Sequence, residues 1–231
     1  MILECENLSK NYGGLRALDE LNFKLESGKI VGLLGPNGHG KTTLIKILSG
    51  LLRQDKGTVL IDGKKVGMET KKIVSYLPER SYLSPGMKIR DVAKFFEEFY
   101  EDFDIKRANA MIDELGLDRE SRLKSLSKGN REKVQLIMVM SRKAKLYLLD
   151  EPENSLSPKN QIMLKYFIED CVRNHDCQFI ISTHSPFILS LRWAKIYDID
   201  SSPVIQKRWT ELEGVRVYSD FFFDHMNEFE R

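Results

Sequence analysis

The sequence predicts an α/β fold: a mostly parallel central sheet covered by helices, with an antiparallel β subdomain and an inserted helical subdomain. Three observations predict it. Short apolar runs alternate with longer amphipathic segments across the second half of the chain, as a helix-covered parallel sheet requires. The N-terminal stretches instead alternate apolar and polar residues, the pattern of half-buried strands. From Ile89 to Leu117 the apolar spacing becomes that of helices, which suggests the inserted subdomain.

In chain order, residues 2–8 and 17–25 alternate apolar and polar positions, with Gly13, Gly14 and then Ser27-Gly28 supplying turns, and read as strands. Residues 29–34 form a short apolar and glycine run, a strand buried on both faces, and residues 43–52 follow as a helix. Residues 57–66 (GTVLIDGKKV) read as a hairpin turning at Asp62-Gly63, and residues 73–77 as a core strand before Pro78. From Ile89 to Leu117 the residues Val92, Phe95, Phe96, Phe99, Ile105, Ala108, Met111, Ile112 and Leu115 recur at helical spacing, and this aromatic stripe is expected in a core.

A helix is expected over about residues 130–142, then the all-apolar strand 146–149 ending in Asp150-Glu151. Residues 160–174 read as a helix, 178–182 as a strand and 195–199 as the last convincing strand. Weaker order is expected beyond it, with Trp209, Tyr218 and the aromatics 221–223 as core. The 231 residues then make a single domain, 1–231, with the helical insert at about 81–142.

Composition excludes several functions. Lys+Arg number 36 against 34 Asp+Glu with no long single-sign block, so nucleic-acid coating is not suggested. Cys5, Cys171 and Cys177 form no CxxC pair and no disulfide framework, which fits a reducing cytoplasm. Cys171, His175 and Cys177 lack a fourth ligand and read as ordinary residues around a helix end. No apolar run reaches the roughly 18–20 residues that cross a bilayer, so any membrane-spanning part must come from another chain.

Residues 35–42, GPNGHGKT, satisfy GxxxxGK[ST] between a predicted strand and a predicted helix. Such a loop turns backbone N–H groups toward phosphates, and the helix N-terminus that follows favours negative charge. The chain therefore reads as a P-loop NTPase. Gly35, Pro36, Asn37, Gly38, His39, Gly40, Lys41, Thr42 and Thr43 are the expected nucleotide-binding residues. Lys41 is expected on the β- and γ-phosphates, Thr42 on Mg²⁺, and His39 toward solvent.

LSKGN at residues 126–130 lies about one helix and a turn before LYLLDEP, and this order resembles the ATP-binding-cassette (ABC) family. Leu126, Ser127 and Gly129 match that family's LSGGQ signature, whereas Lys128 and Asn130 depart from it. The resemblance implies ATP and Mg²⁺ as ligands and places Tyr12 against adenine. It puts Glu79 where the family has a glutamine facing the metal. Asp150, ending an apolar strand, is expected to hold Mg²⁺, and Glu151 to be the base that orients the attacking water. His184, after QFIIST, takes the place of the switch histidine that meets the γ-phosphate. Ser127 and Gly129 would serve the nucleotide of a second subunit in a head-to-tail dimer or pseudo-dimer.

Residues 1 to about 152 resemble ATPase subunits of bacterial multidrug and antibiotic exporters. The C-terminal third, with DEPENSLSP and STHSPFIL, is more similar to soluble ABC-like ATPases related to the recombination and phage-exclusion families. Ser157 stands where the transporter pattern has a seam-crossing aspartate, and the change of style inside one motif suggests a natural or engineered recombinant. The leading expectation is the ATPase of an exporter, peripheral on the cytoplasmic face beneath membrane-spanning permease chains and without a nucleic-acid partner. The alternatives are a soluble ATPase acting on nucleic acid or in phage defence, and a weakly hydrolysing ATP-gated regulator.

Overall fold

The computed structural model describes residues 1–26, 29–35, 38, 40–154, 156–175, 177–198 and 205–229. Two sheets organise them. In the first, β1 (Leu3–Tyr12), β2 (Leu15–Leu25), β4 (Lys56–Ile61) and β5 (Lys64–Lys65) are antiparallel neighbours in the order β2-β1-β4-β5. Gly13 and Gly14 join β1 to β2 with φ of 51° and 101°, and Asp62 and Gly63 join β4 to β5 with φ of 51° and 71°. Consecutive left-handed residues are what a two-residue hairpin turn requires.

The second sheet runs β10-β9-β3-β8-β7-β6, with β3 (Ile30–Leu34), β6 (Val74–Leu77), β7 (Leu146–Asp150), β8 (Gln178–Ser182), β9 (Ala194–Asp198) and β10 (Ile205–Lys207). All its pairings are parallel except β9 with β10 at the edge. The strand period sorts the side chains into two cores. Val31, Leu33, Leu146, Leu148 and Ile180 face the antiparallel sheet and α1 (Lys41–Leu48). Tyr147, Leu149, Phe179 and Ile181 face α5 (Lys128–Met140), α6 (Pro158–His175) and α7 (Pro186–Leu189).

A third cluster joins α3 (Ile89–Phe99), α4 (Ile105–Glu114) and α5 through Ile89, Val92, Phe96, Ile112, Val134 and Ile137. Every residue of α5 from Val134 to Met140 is buried, because the helix lies between the sheet and the α3–α4 pair. Asp104 caps α4, its side chain accepting from the Arg107 N–H at 3.0 Å.

Three expectations are corrected. The first helix spans Lys41–Leu48 rather than 43–52, because Gly50 at φ 73° ends it with a left-handed residue. Only part of the aromatic stripe on α3 is core: Phe96 is 3% exposed, but Phe95 and Phe99 lie on another helical face and stack on each other in solvent at 5.8 Å. The tail is more ordered than expected, since β10 and α8 (Glu213–Asp224) follow β9. Leu212 and Val215 bury against Leu189 and Ile196, whereas Trp209, Tyr218, Phe221, Phe222 and Phe223 are exposed. Three consecutive phenylalanines spread around a helix and cannot share one buried face. The short α2 (Met68–Lys71) and α7 were not foreseen. Among the described residues no helix is long and apolar enough to cross a membrane.

Candidate nucleotide-binding and hydrolysis site

Because β3, β8 and β7 are parallel neighbours, the loops that leave their C-terminal ends emerge on one edge. Such an edge is where open α/β sheets bind ligands. It gathers the expected phosphate loop after β3, Asp150 and Glu151 after β7, and His184 after β8.

Of the loop residues, Pro36, Asn37 and His39 lie outside the described residues. Gly35, Gly38 and Gly40 have φ of 149°, 91° and 85°. At Gly40 a Cβ would stand 2.1 Å from the Ala17 carbonyl oxygen, so only glycine allows the loop to press against the β1–β2 sheet. Gly40 is the N-cap of α1, whose first turn holds Lys41, Thr42 and Thr43. The Lys41 side chain is buried, and its Nζ donates to the Gly35 carbonyl across the loop.

Thr42 Oγ1 donates to Asp150 Oδ1 at 3.2 Å, joining the loop to the end of β7. Asp150 is 1% exposed, and its Oδ2 is buried with no hydrogen-bond partner among the described residues. Burial pushes its carboxyl up to about 6; the Thr42 hydrogen bond opposes this, while Glu151 and Glu79 add to it. An unpaired, water-poor carboxylate oxygen beside a hydroxyl is a hard donor set that fits a divalent cation such as Mg²⁺. Glu79 lies beyond β6 and lines a small cavity with Glu151, Pro78 and Pro152.

Glu151 has φ of 51°, a left-handed conformation rare for a glutamate, and its N–H donates to the Ser182 carbonyl at 2.9 Å. Its Oε2 accepts from Asn154 Nδ2 at 2.7 Å. Glu151 and the exposed His184 line one cleft of about 740 Å³ with Glu153, Trp209, Tyr218 and Phe222. The structure thus brings Lys41, Thr42, Asp150, Glu151, Glu79 and His184 to one edge.

Three further expected residues, Tyr12, Ser127 and Gly129, lie on other elements. Tyr12 ends β1 and is 47% exposed, with Lys10 Nζ 5.8 Å from its ring centre. Ser127 and Gly129 sit at the N-terminus of α5, where the Ser127 side chain accepts from the Asn130 N–H at 3.2 Å. Ser157 similarly accepts from the Asn160 N–H at 3.4 Å in the first turn of α6.

Glu153 was missed by the sequence reading. Its Oε1 accepts from Thr183 Oγ1 at 2.6 Å, the His184 N–H at 2.8 Å and the Ser185 N–H at 3.2 Å. The available signal was a third carboxylate two residues after Glu151 in DEPEN.

The sequence pattern of the family described as "ABC transporter" matches residues 18–154. An uncharacterised ABC transporter ATP-binding protein of Methanocaldococcus jannaschii is 35% identical over 79% of this chain and 68% of its own. The SkfA peptide export ATP-binding protein SkfE of Bacillus subtilis is 33% identical over 80% of this chain and 79% of its own. The petrobactin import ATP-binding protein YclP of Bacillus subtilis is 30% identical over 84% of this chain and 85% of its own. Among solved structures, a dimeric post-hydrolysis ATP-binding cassette, MJ0796 bound to ADP and Pi, superposes with a TM-score of 0.76 at 19% identity, covering 85% of this chain and 94% of that one. That likeness shows the fold alone. The chain belongs to the ABC transporter family, as an ATP-binding and ATP-hydrolysing subunit.

Proposed function

We propose that the chain hydrolyses Mg-ATP as the ATPase of an export transporter, closing with a second copy head to tail over two nucleotides. The buried, unpaired oxygen of Asp150 beside Thr42, at the mouth of the phosphate loop, carries this reading. The amides of the loop 35–43 and the Lys41 amine bind the phosphates, and Tyr12 meets adenine. Thr42 and Asp150 would hold Mg²⁺, with Glu79 adding negative charge; when bound there, the ion neutralises phosphate charge. Glu151 accepts a hydrogen bond from the attacking water and polarises it, while Lys41 stabilises charge on the γ-phosphoryl oxygens. His184 hydrogen-bonds the γ-phosphate. Ser127 and Gly129 face the nucleotide held by the other copy. We treat residues 1–231 as one nucleotide-binding domain, with the helical subdomain inserted at about 81–142.

Export beneath membrane-spanning permease chains, on the cytoplasmic face of the membrane, is the finer part of the proposal. It is supported by the likeness to SkfE and by a pocket of about 180 Å³ lined by Met111, Leu115, Leu136, Met140, Met163 and Phe167, with Glu114 and Lys133 among its other lining residues, which has room for an apolar side chain of a membrane partner. No nucleic-acid partner is part of it.

Glu151→Gln is the test. With Mg-ATP its mass in light scattering should double, without nucleotide it should remain that of one chain, and turnover should fall at least about 100-fold. A mass indifferent to Mg-ATP would refute the paired site. Failure to co-purify with any candidate permease from membranes would refute the transport assignment alone.

One observation favours a second reading, an ATP-gated regulator with little turnover. The Ser157 side chain, at the position of a seam-crossing aspartate, is occupied at the N-terminus of α6. Equal, near-background rates for the parent and Glu151→Gln would select that reading.

A further inference from the structure

Thr183, His184 and Ser185 form the turn that leaves β8, and no regular secondary structure fixes it. One carboxylate oxygen does. Glu153 Oε1 collects the Thr183 hydroxyl and the N–H groups of His184 and Ser185 at 2.6, 2.8 and 3.2 Å. The Ser185 N–H also meets Thr183 Oγ1 at 3.1 Å, and Ser185 Oγ donates to Gln161 Oε1 at 2.6 Å. Gln161 Nε2 in turn donates to the Leu156 carbonyl at 2.9 Å. The turn bearing His184 is therefore tied at both ends to the segment 153–161 that follows Glu151.

Three donors from three consecutive residues converge on this one oxygen, which makes a stiff clamp. Glu151 and Glu153 are separated by one proline, and the Glu151 N–H already holds the Ser182 carbonyl at 2.9 Å. The segment after β7 thus grips the segment after β8 on both sides of the β8 end. A shift of one moves the other.

We propose that Glu153 is a positioning residue for ATP hydrolysis, fixing the His184 turn so that the imidazole is presented at a set distance from the water held by Glu151. The proposal rests on the role assigned above to His184. It adds that the distance between base and γ-phosphate contact is set within one chain, by a carboxylate two residues from the base.

The experiment is a double-mutant cycle on the full chain, reading kcat and KM for ATP. His184→Ala should lower kcat about 100-fold, the loss typical of one preorganised hydrogen-bonding group. Glu153→Ala should lower kcat about 10- to 100-fold with KM within about twofold, and should lower it no further once His184 is alanine. Glu153→Gln keeps an acceptor in place and should stay within about threefold of the parent. Thr183→Val removes one donor and should lower kcat about threefold in the parent but not in the His184→Ala background.

If Glu153→Ala does not fold, the Gln and Val variants decide. A Gln variant as slow as His184→Ala, or a Val effect that persists without His184, overturns the positioning role. Additive losses for Glu153→Ala and His184→Ala, or a Glu153→Ala loss seen mainly in KM, overturn it too. A His184→Ala enzyme with the parent kcat refutes the role of His184 itself, and this proposal with it.

Discussion

Arg142 offers a measurable test of how the α3–α4 pair is attached to the sheet. Its side chain is 4% exposed and follows α5. Nε and Nη2 reach the two oxygens of Asp102 at 2.9 and 3.0 Å, Nη1 reaches the Val74 carbonyl at 2.6 Å, and Nη2 the Lys72 carbonyl at 2.8 Å. The guanidinium also lies 4.0 Å from the centre of the Tyr100 ring. One fork thus ties the α3–α4 connection to the chain entering β6. Removing one partner of a buried pair costs about 3–5 kcal/mol, because the acceptors left behind lose their donor. Water can reach the Asp102 side chain, which is 23% exposed, so Arg142→Met is expected near the low end, about 3 kcal/mol. For a domain of this size that corresponds to a melting shift of roughly 6–12 °C. Arg142→Lys should recover little of it, since an ammonium cannot span carboxylate and carbonyl together. Urea unfolding at neutral pH measures the quantity directly. A loss below about 1 kcal/mol for the Met variant would refute the reasoning.

Asp150→Asn should remove turnover and yet stabilise the nucleotide-free chain. The folded carboxyl is held at about 6, above its ordinary value of 3.8, so the folded state binds the extra proton and stability falls as pH rises between those values. Scanning calorimetry of Asp150→Asn without nucleotide should show a melting point a few degrees above the parent at pH 8, a smaller gap as pH falls through about 6, and convergence only below the ordinary value of 3.8. Asp104 behaves oppositely. Its carboxyl is held below 3.8, first by the Arg107 N–H and also by Lys143, so its stabilisation is present above that value and is lost as pH falls through the lower folded one. Asp104→Ala should cost about 1 kcal/mol at pH 7 in urea unfolding, and the gap should narrow below about pH 4.

The parts legible in the sequence were those in which one physical requirement dominates. Residues 146–149 are all apolar because β7 is buried on both faces, and Asp62-Gly63 turns a hairpin because two left-handed residues are needed in succession. The phosphate loop was legible from its spacing, and Gly40 shows one reason: the Ala17 carbonyl leaves no space for a side chain. What the sequence hid depends on partners distant along the chain. Nothing near Glu153 announces that its acceptors' donors lie about thirty residues away at 183–185. The tail aromatics were expected in a core because large apolar side chains usually bury. On α8, however, Val215 is the only residue buried among those described, and Leu212 just before the helix completes the contact.

The left-handed backbone at Glu151 follows from the same economy of contacts. Asp150 completes the ladder with Ser182, and the next N–H, that of Glu151, must still reach the Ser182 carbonyl while the chain turns away from the sheet. A φ of 51° satisfies both demands, and a glutamate there costs on the order of 1 kcal/mol or more relative to glycine. Glycine at this position would relieve the strain but supply no carboxylate to meet water. The strained conformer persists because its surroundings over-determine it: the Ser182 carbonyl on its N–H and the Asn154 amide on its side chain. Loosening either contact should therefore move the Glu151 carboxylate, and hydrolysis should respond well before the sheet itself loses stability.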